Sequence, residues 1–98
     1  MIVSFRDGWL QEFFVSDVRS RKIPTDLIDR LFRKIQMIDD ATNDQDLRVP
    51  PSNHFEKLKG RLDGYHSIRV NQKWRLVFEW DGSKGEAINL YLDDHSYR

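Results

Sequence analysis

The residues best suited to chemistry in this sequence are six cations between Lys57 and Arg75. A single carboxylate, Asp63, lies in the same interval, which carries a local net charge of +5 on a chain whose total net charge is zero. The six cations are Lys57, Lys59, Arg61, Arg69, Lys73 and Arg75. Basic residues segregated in this way are typical of a surface that binds an anion, so this interval is the first candidate for a functional site.

Four of these cations lie in three extended segments, at residues 56–59, 65–70 and 74–80. The last two segments are rich in tyrosine, tryptophan, phenylalanine and β-branched residues, which fit a pleated sheet. A turn around Gly60 and Gly64 separates the first two segments, and residues 71–73 separate the last two. Glycine and asparagine tolerate the backbone of tight reversals, so the pattern predicts two linked hairpins at the centre of an antiparallel sheet.

The period of two along a strand predicts which side chains share a face of this sheet. We expect one face to be open to a ligand, with Lys59 and Arg75 as surface residues whose loss leaves no large cavity. The predicted members of this face are Phe55, Lys57, Lys59, Tyr65, Ser67, Arg69, Arg75, Val77 and Glu79. The opposite face should be apolar and should meet the helices. On the last segment it comprises Trp74, Leu76, Phe78 and Trp80.

Two helices are predicted before the sheet. Aromatic residues recur at helical spacing within residues 8–19, and a longer apolar stripe runs through residues 24–41. The stripe comprises Leu27, Ile28, Leu31, Phe32, Ile35 and Ile38. Because they lie on this stripe, we expect Leu31 and Phe32 to be fully buried.

The remaining segments complete a small α+β fold. Residues 1–5 suit an edge strand or a parallel partner of the sheet, and residues 87–92 predict a last strand. Residues 43–53 contain two consecutive prolines and several turn formers, so they should form a surface connection. The expected architecture is an N-terminal strand and a two-helix hairpin packed on one face of a mostly antiparallel sheet.

Length and composition restrict the possible classes of protein. The 98 residues favour a single domain spanning residues 1–98. The chain has no cysteine, and its three histidines lack the spacing of a metal site, so we expect no metal and no cofactor. No apolar run approaches the roughly 20 residues needed to cross a bilayer, which predicts a cytoplasmic protein. The equal numbers of 16 basic and 16 acidic residues argue against a general attraction to nucleic acid.

Three motifs lie in the second half of the chain. They are L-K-G from Leu58 to Gly60, G-Y-H-S-I-R-V-N-Q-K-W-R from Gly64 to Arg75, and Y-L-D-D-H from Tyr91 to His95. Together they resemble the HigB-type toxins of the plasmid maintenance system killer family, which is a branch of the RelE/ParE toxin superfamily. The resemblance covers nearly the whole chain. It implies a RelE-like fold and a metal-independent endoribonuclease that cuts mRNA on translating ribosomes. It also implies a HigA-like helix-turn-helix antitoxin, with DNA contacted only through that antitoxin, and no membrane partner.

The resemblance implies a role for each matching residue. The expected reaction is attack of a ribose 2′-OH on the adjacent phosphate, which needs a base, an acid for the leaving 5′-oxygen and cations for the extra negative charge. Lys59, Arg69 and Arg75 match the family's active-site lysine and sheet arginines, and would bind the phosphate and its transition state. His95 would transfer a proton, and Asp93 would orient it or share that role.

The sequence departs from the family pattern at two places. Glu56 stands where some members have a histidine, and His54 lies two residues earlier, so either residue is a candidate for the base. Asp94 stands where some members have a tyrosine, and Tyr97 lies further along, where it could stack on a base of the RNA. The predicted RNA-binding residues outside the catalytic set are Lys57, Arg61, Arg69, Lys73, His54 and Tyr97.

Other interpretations of the same residues remain open. The sheet arginines Arg69 and Arg75 can instead pair with Glu79 or Asp93 across the sheet. The side chain of His66 points to the opposite face from that of Tyr65, which favours a packing or interface role for His66. A gyrase-directed toxin of the ParE type would not need the combination of Lys59, Arg75 and His95. A catalytically silent module that binds only an antitoxin is the second alternative, and the departures at Glu56 and Asp94 favour it.

Overall fold

A four-stranded antiparallel sheet forms the centre of the molecule in a computed structural model that describes residues 1–94. Its strands follow one another in chain order as a meander. They are β1 (Glu56–Lys57), β2 (Tyr65–Arg69), β3 (Arg75–Asp81) and β4 (Glu86–Asp93). The two predicted hairpins and the predicted last strand are therefore confirmed. The predictions for His95 and Tyr97 lie outside the described residues.

Helices α1 (Gly8–Ser16) and α2 (Ile28–Asp40) supply the apolar layer over one face of the sheet. Helix α1 ends earlier than predicted because Asp17 adopts a left-handed conformation, with φ of 55°. Helix α2 follows a short 3₁₀ turn at Thr25–Leu27 and buries a stripe of side chains at helical spacing. The stripe comprises Leu31, Ile35 and Ile38. These residues pack with Leu76 and Phe78 of β3, so the predicted side of the sheet meets the helices.

Phe32 is a correction to the predicted core, since its side chain is 39% exposed whereas Leu31 is fully buried. The buried stripe of α2 is centred on Leu31, so the next residue along the chain falls on its flank. The Phe32 ring lies 5.4 Å from the ring of Phe14 and 6.2 Å from that of Phe13, measured between centroids. Phe32 therefore borders a groove between α1 and α2.

The predicted surface connection over residues 43–53 is also corrected. It contains a third helix, α3 (Asp44–Arg48), and a 3₁₀ turn at Pro51–Asn53. The Asn43 side chain caps α3 by accepting a hydrogen bond from the backbone N–H of Asp46 at 3.1 Å. Leu47 of α3 is fully buried, and so is Asn53. This segment is thus part of the packed structure.

The N-terminal segment lies parallel to β4, which confirms one of its two predicted arrangements. Ile2 pairs with Ala87 and Phe5 with Leu90, joined by backbone hydrogen bonds that include Val3 N to Ala87 O at 2.7 Å. The pairing of β3 with β4 shifts register beside Asn89, whose φ is 57°. The Asn89 backbone N–H donates to Ser4 Oγ at 2.9 Å, so the N-terminal segment also supports the shift.

Candidate active site

The face of the sheet opposite the helices, called the open face below, carries a row of three predicted site residues. Arg69 of β2 is the direct partner of Arg75 on β3, and Arg75 is the partner of Asp93 on β4. Direct partners in an antiparallel pair have Cβ atoms about 4.5–5.5 Å apart and lie on the same face. The fold therefore brings two cations and one carboxylate together although they are far apart in the sequence.

A second row on the same face contains Glu56, Ser67, Val77 and Tyr91. Glu56 reaches across to the first row, with Oε1 3.6 Å from Nη1 of Arg75. Val77 and Tyr91 are buried against Leu58, with Leu62 and Tyr65 beside them. The open face is therefore an apolar floor with charged residues at one end.

Arg75 is the most unusual residue of this face because it is charged and almost completely buried. Its side chain is 6% exposed, whereas the side chain of its ion-pair partner Glu56 is 51% exposed. Within residues 1–94, Nε and Nη1 of Arg75 have no hydrogen-bond partner, and the same is true of Oγ of Ser67. The expectation that Arg75 is a surface residue is wrong, since the residue is 5% exposed. A guanidinium stays charged and offers five N–H donors, so Arg75 keeps hydrogen-bonding capacity that residues 1–94 leave unused.

The strand register corrects the predicted direction of Lys57. Glu56 pairs with Ser67 and Lys57 pairs with His66, so Glu56, not Lys57, shares the open face with Arg75. Phe55 likewise lies on the other side, where its ring stacks on His66 with 5.1 Å between centroids. Burial lowers the pKa of His66, and Lys57 lowers it further, while Asp44 opposes the shift. His66 is thus a packing residue, as predicted.

The other predicted residues lie around this centre at exposed positions. Lys59 lies two residues after the end of β1 and directly precedes the 3₁₀ turn Gly60–Leu62, which contains Arg61. The positive φ of Gly60, 68°, suits glycine and allows the chain to reverse there. Lys73 is exposed in the turn between β2 and β3, with Nζ 5.5 Å from the centre of the Trp74 ring. His54 is exposed before β1. The structure gives none of these a contact with Arg75 among the described residues.

Two residues of the open face were not identified from the sequence. The guanidinium carbon of Arg6 lies 3.6 Å from the centre of the Tyr91 ring, in cation–π geometry. Tyr91 is two residues before Asp93 on β4, so strand alternation would have placed the pair together. Arg6 gives no such signal, because only the parallel pairing of the N-terminal segment brings it to β4. Arg6 adds a further cation to the open face.

Among residues 1–94, no group of three or more histidine, aspartate or glutamate side chains is arranged to hold a metal ion. None of the helices in that range is long and apolar enough to cross a bilayer.

The fold is that of the small RelE-like toxins. A YoeB/ParE toxin from Agrobacterium tumefaciens superposes with a TM-score of 0.52 over 96% of each chain, at 24% sequence identity. YafQ from E. coli strain BL21(DE3) gives the same TM-score of 0.52 over 98% of this chain and 96% of its own, at 14% identity. At these identities the likeness concerns the fold alone. The predicted fold class is confirmed.

The sequence specifies the family within that fold. The family model for the RelE-like toxin of the type II toxin–antitoxin system HigB matches residues 3–95, so the chain belongs to the HigB-like toxins. Toxin HigB-1 of Vibrio cholerae is 47% identical over 97 residues, which cover 99% of this chain and all of that protein. Endoribonuclease HigB of Proteus vulgaris is 34% identical over 97% of this chain and 99% of its own. The protein is a toxin of a type II module and therefore has an antitoxin partner.

Proposed function

We propose that this toxin is an endoribonuclease that cleaves mRNA on the translating ribosome, using the open face around Arg75. The observation that carries the proposal is the buried guanidinium of Arg75, which has unused N–H donors beside the carboxylate of Glu56. A relative, Endoribonuclease HigB of Proteus vulgaris, bears the name of this activity. A fixed cation next to a carboxylate suits phosphodiester cleavage, in which negative charge grows as a proton is removed.

The proposed reaction uses the 2′-OH of the substrate as nucleophile. Glu56 takes its proton, the 2′-oxygen bonds to the adjacent phosphorus, and the bond from phosphorus to the 5′-oxygen breaks. His95 gives a proton to that leaving oxygen, with Asp93 orienting it. The products are a 2′,3′-cyclic phosphate and a free 5′-OH. Glu56 is favoured over His54 as the base because Glu56 contacts Arg75.

The cations stabilise the pentacoordinate phosphorane, which carries more negative charge than the substrate. Arg75 supplies donors from within the sheet, and Arg69 is its partner in the same row. Lys59 adds an exposed ammonium from the start of the turn between β1 and β2. Such donors contribute most where they are already in position before charge develops. No resident metal or cofactor takes part in this proposal.

The proposed partners follow from the same reaction. A HigA-like helix-turn-helix antitoxin would keep the toxin inactive, and DNA would be contacted only through that antitoxin. The ribosome would present the mRNA, since a chain with zero net charge has little general attraction for free RNA. The site of action is then the cytoplasm, where translation takes place.

Paired lysine variants test this proposal. Lys59→Ala should slow single-turnover cleavage of ribosome-bound mRNA by about a hundredfold or more, as expected for loss of a fixed cation at the transition state. Its melting temperature should barely change because Lys59 is exposed. Lys57→Ala is the matched control: it is also exposed and lies two residues away, but it pairs with His66, takes no part in the proposed reaction and belongs to β1, whereas Lys59 lies beyond the end of that strand.

Mapping the products on a translated message separates the alternatives. Fragments that end in a 2′,3′-cyclic phosphate support the proposed reaction. Growth arrest without mRNA fragments, accompanied by gyrase inhibition, would instead indicate a ParE-like action. Neither arrest nor fragments would indicate a module that only binds its antitoxin. Equal cleavage of naked RNA would contradict the requirement for the ribosome.

A further inference from the structure

A second basic site lies beside the open face, where β2 ends against α2. It is a pocket of about 400 Å³, and its polar lining residues are Arg30, Lys34, Ser52, Arg69, Asn71 and Gln72. Three of its lining side chains are cations, and no carboxylate is among the described residues that line it. By contrast, the groove between α1 and α2 is lined by Asp17 and Asp29 as well as by arginines. The pocket thus combines positive charge with neutral hydrogen-bonding groups.

Lys34 is held in this pocket by a buried amide. Its ammonium donates a hydrogen bond to Oδ1 of Asn53. Asn53 is itself fixed, because its amide nitrogen donates to the backbone oxygens of Leu47 at 3.1 Å and Val49 at 3.4 Å. A lysine ammonium has three N–H donors, so one bond to Asn53 positions the group and leaves others for a ligand.

The cations of this pocket repel one another. Burial lowers the pKa of Lys34, and the nearby charges of Arg30 and Arg33 lower it further. Within residues 1–94 the buried Nε of Arg69 has no hydrogen-bond partner. Within residues 1–94, no carboxylate oxygen lies within 4.0 Å of the cationic nitrogens of Arg30, Lys34 or Arg69. An anion bound here would be attracted by all three cations and would reduce their mutual repulsion.

We propose that Arg30, Lys34 and Arg69 form a binding pocket for a phosphate of an RNA backbone, distinct from the phosphate that is cleaved at Arg75. Arg69 links the two sites, since it lines this pocket and is also the strand partner of Arg75. An RNA strand bound across the open face therefore has a neighbouring phosphate held by Arg30 and Lys34 of α2. This inference rests on the proposed function only in taking RNA as the source of the phosphate.

The first test uses inorganic phosphate, which reports the pocket without RNA or cleavage. Titration of the 15N-labelled toxin should shift the backbone amides of Asn71 and Gln72 in a saturable way. Arg30→Gln should weaken this response severalfold, whereas Arg33→Gln should leave it unchanged. Arg33 is the matched control because it lies on the same helix and acts on the charge of Lys34, but does not line the pocket. No shift at these amides, or equal losses in the two variants, would overturn the pocket.

The second test asks whether RNA supplies the phosphate. Binding of a single-stranded oligonucleotide with 2′-deoxy substitutions, which cannot be cleaved, is measured across a range of salt concentrations. Loss of one phosphate contact in Arg30→Gln should reduce the log–log salt slope by roughly 0.7 and weaken binding about fivefold in 0.1 M salt. Arg33→Gln should match the wild type.

These measurements separate the pocket from the proposed catalysis. If the toxin binds the oligonucleotide through Arg30 but never cleaves mRNA, the result supports the pocket and contradicts the proposed function. A toxin that cleaves mRNA while Arg30→Gln and Arg33→Gln bind RNA equally would retain the function and overturn the pocket. A response to inorganic phosphate without any effect of Arg30→Gln on RNA binding would overturn RNA as the ligand.

Discussion

Both faces of strand β3 are buried near Arg75, but only the open face buries a charged side chain with nitrogens that lack hydrogen-bond partners among residues 1–94. Leu76 and Phe78 point to the helices and are completely enclosed by apolar side chains. Arg75 and Val77 point the other way, where two nitrogens of Arg75 have no hydrogen-bond partner among residues 1–94. Buried polar atoms are nearly always hydrogen-bonded in folded proteins, so exceptions often mark function. One face of this strand therefore stabilises the fold, and the other is organised for a ligand.

The largest expected effect is a loss of stability, and it follows from a substitution on the helix-covered face. Phe78→Ala should lower the free energy of unfolding by about 3–5 kcal/mol, because it removes a fully buried ring and leaves a cavity. Urea denaturation measures the loss. Cleavage per folded molecule should stay at the wild-type rate at low temperature. An unchanged urea midpoint would show that this face does not form the core.

The next effect belongs to the open face. Arg75→Gln should slow single-turnover cleavage about 10²–10³-fold, equivalent to about 2.7–4 kcal/mol of transition-state stabilisation. Its free energy of unfolding should fall by less than that of Phe78→Ala, since the removed group has unsatisfied donors and a half-exposed partner in Glu56. A variant that cleaves normally but unfolds readily would reverse the roles assigned to the two faces.

A smaller difference is expected at the edge of the helical layer. Leu31→Ala should cost about 2–5 kcal/mol of unfolding free energy, as a fully buried leucine does. Phe32→Ala should cost less than Leu31→Ala despite the larger side chain, because Phe32 is 39% exposed. Thermal melting of the two variants in parallel decides this. The opposite order would place Phe32 at the centre of the stripe.

The smallest expected effect is the pH response of His66, at the border of the helix-covered face. Because the folded state holds the pKa of His66 below its usual 6.5, the unfolded chain binds the proton more tightly. The stability from neutral His66 is present above pH 6.5 and is lost as the pH falls below that value. His66→Phe keeps the stacking on Phe55 without the proton, so its unfolding free energy should decline less steeply from pH 7 to pH 5. Parallel slopes would contradict this.

The sequence allowed the strands, the two long helices and the row of Arg69 and Arg75 to be predicted, because alternation and helical spacing act within one element. It did not predict which of Glu56 and Lys57 points to the open face, since the register of β1 against β2 depends on the turn between them. A shift of one residue exchanges the faces of a whole strand. Helix α3 was missed because a five-residue helix beside two prolines has too little periodicity to be recognised.

The charged end of the open face was only partly predictable for a different reason. The proximity of Glu56 to Arg75 and of Arg6 to Tyr91 depends on the pairing of distant segments. The burial of Arg75 is likewise a property of the assembled sheet, in which it lies between Arg69 of β2 and Asp93 of β4. Local patterns give the side of a strand on which a residue lies, but the depth of burial requires the neighbours as well.

The register shift at Asn89 works as a change of phase within one strand. Ala87 and Leu90 both lie in the main core although they are an odd number of positions apart, whereas Tyr91 and Asp93 lie on the open face. Odd positions thus belong to the core before Asn89 and to the open face after it. When related toxins are aligned, odd-numbered positions of β4 must be assigned to the core before Asn89 and to the open face after it. A single alternating pattern along the whole strand would assign half of it to the wrong face.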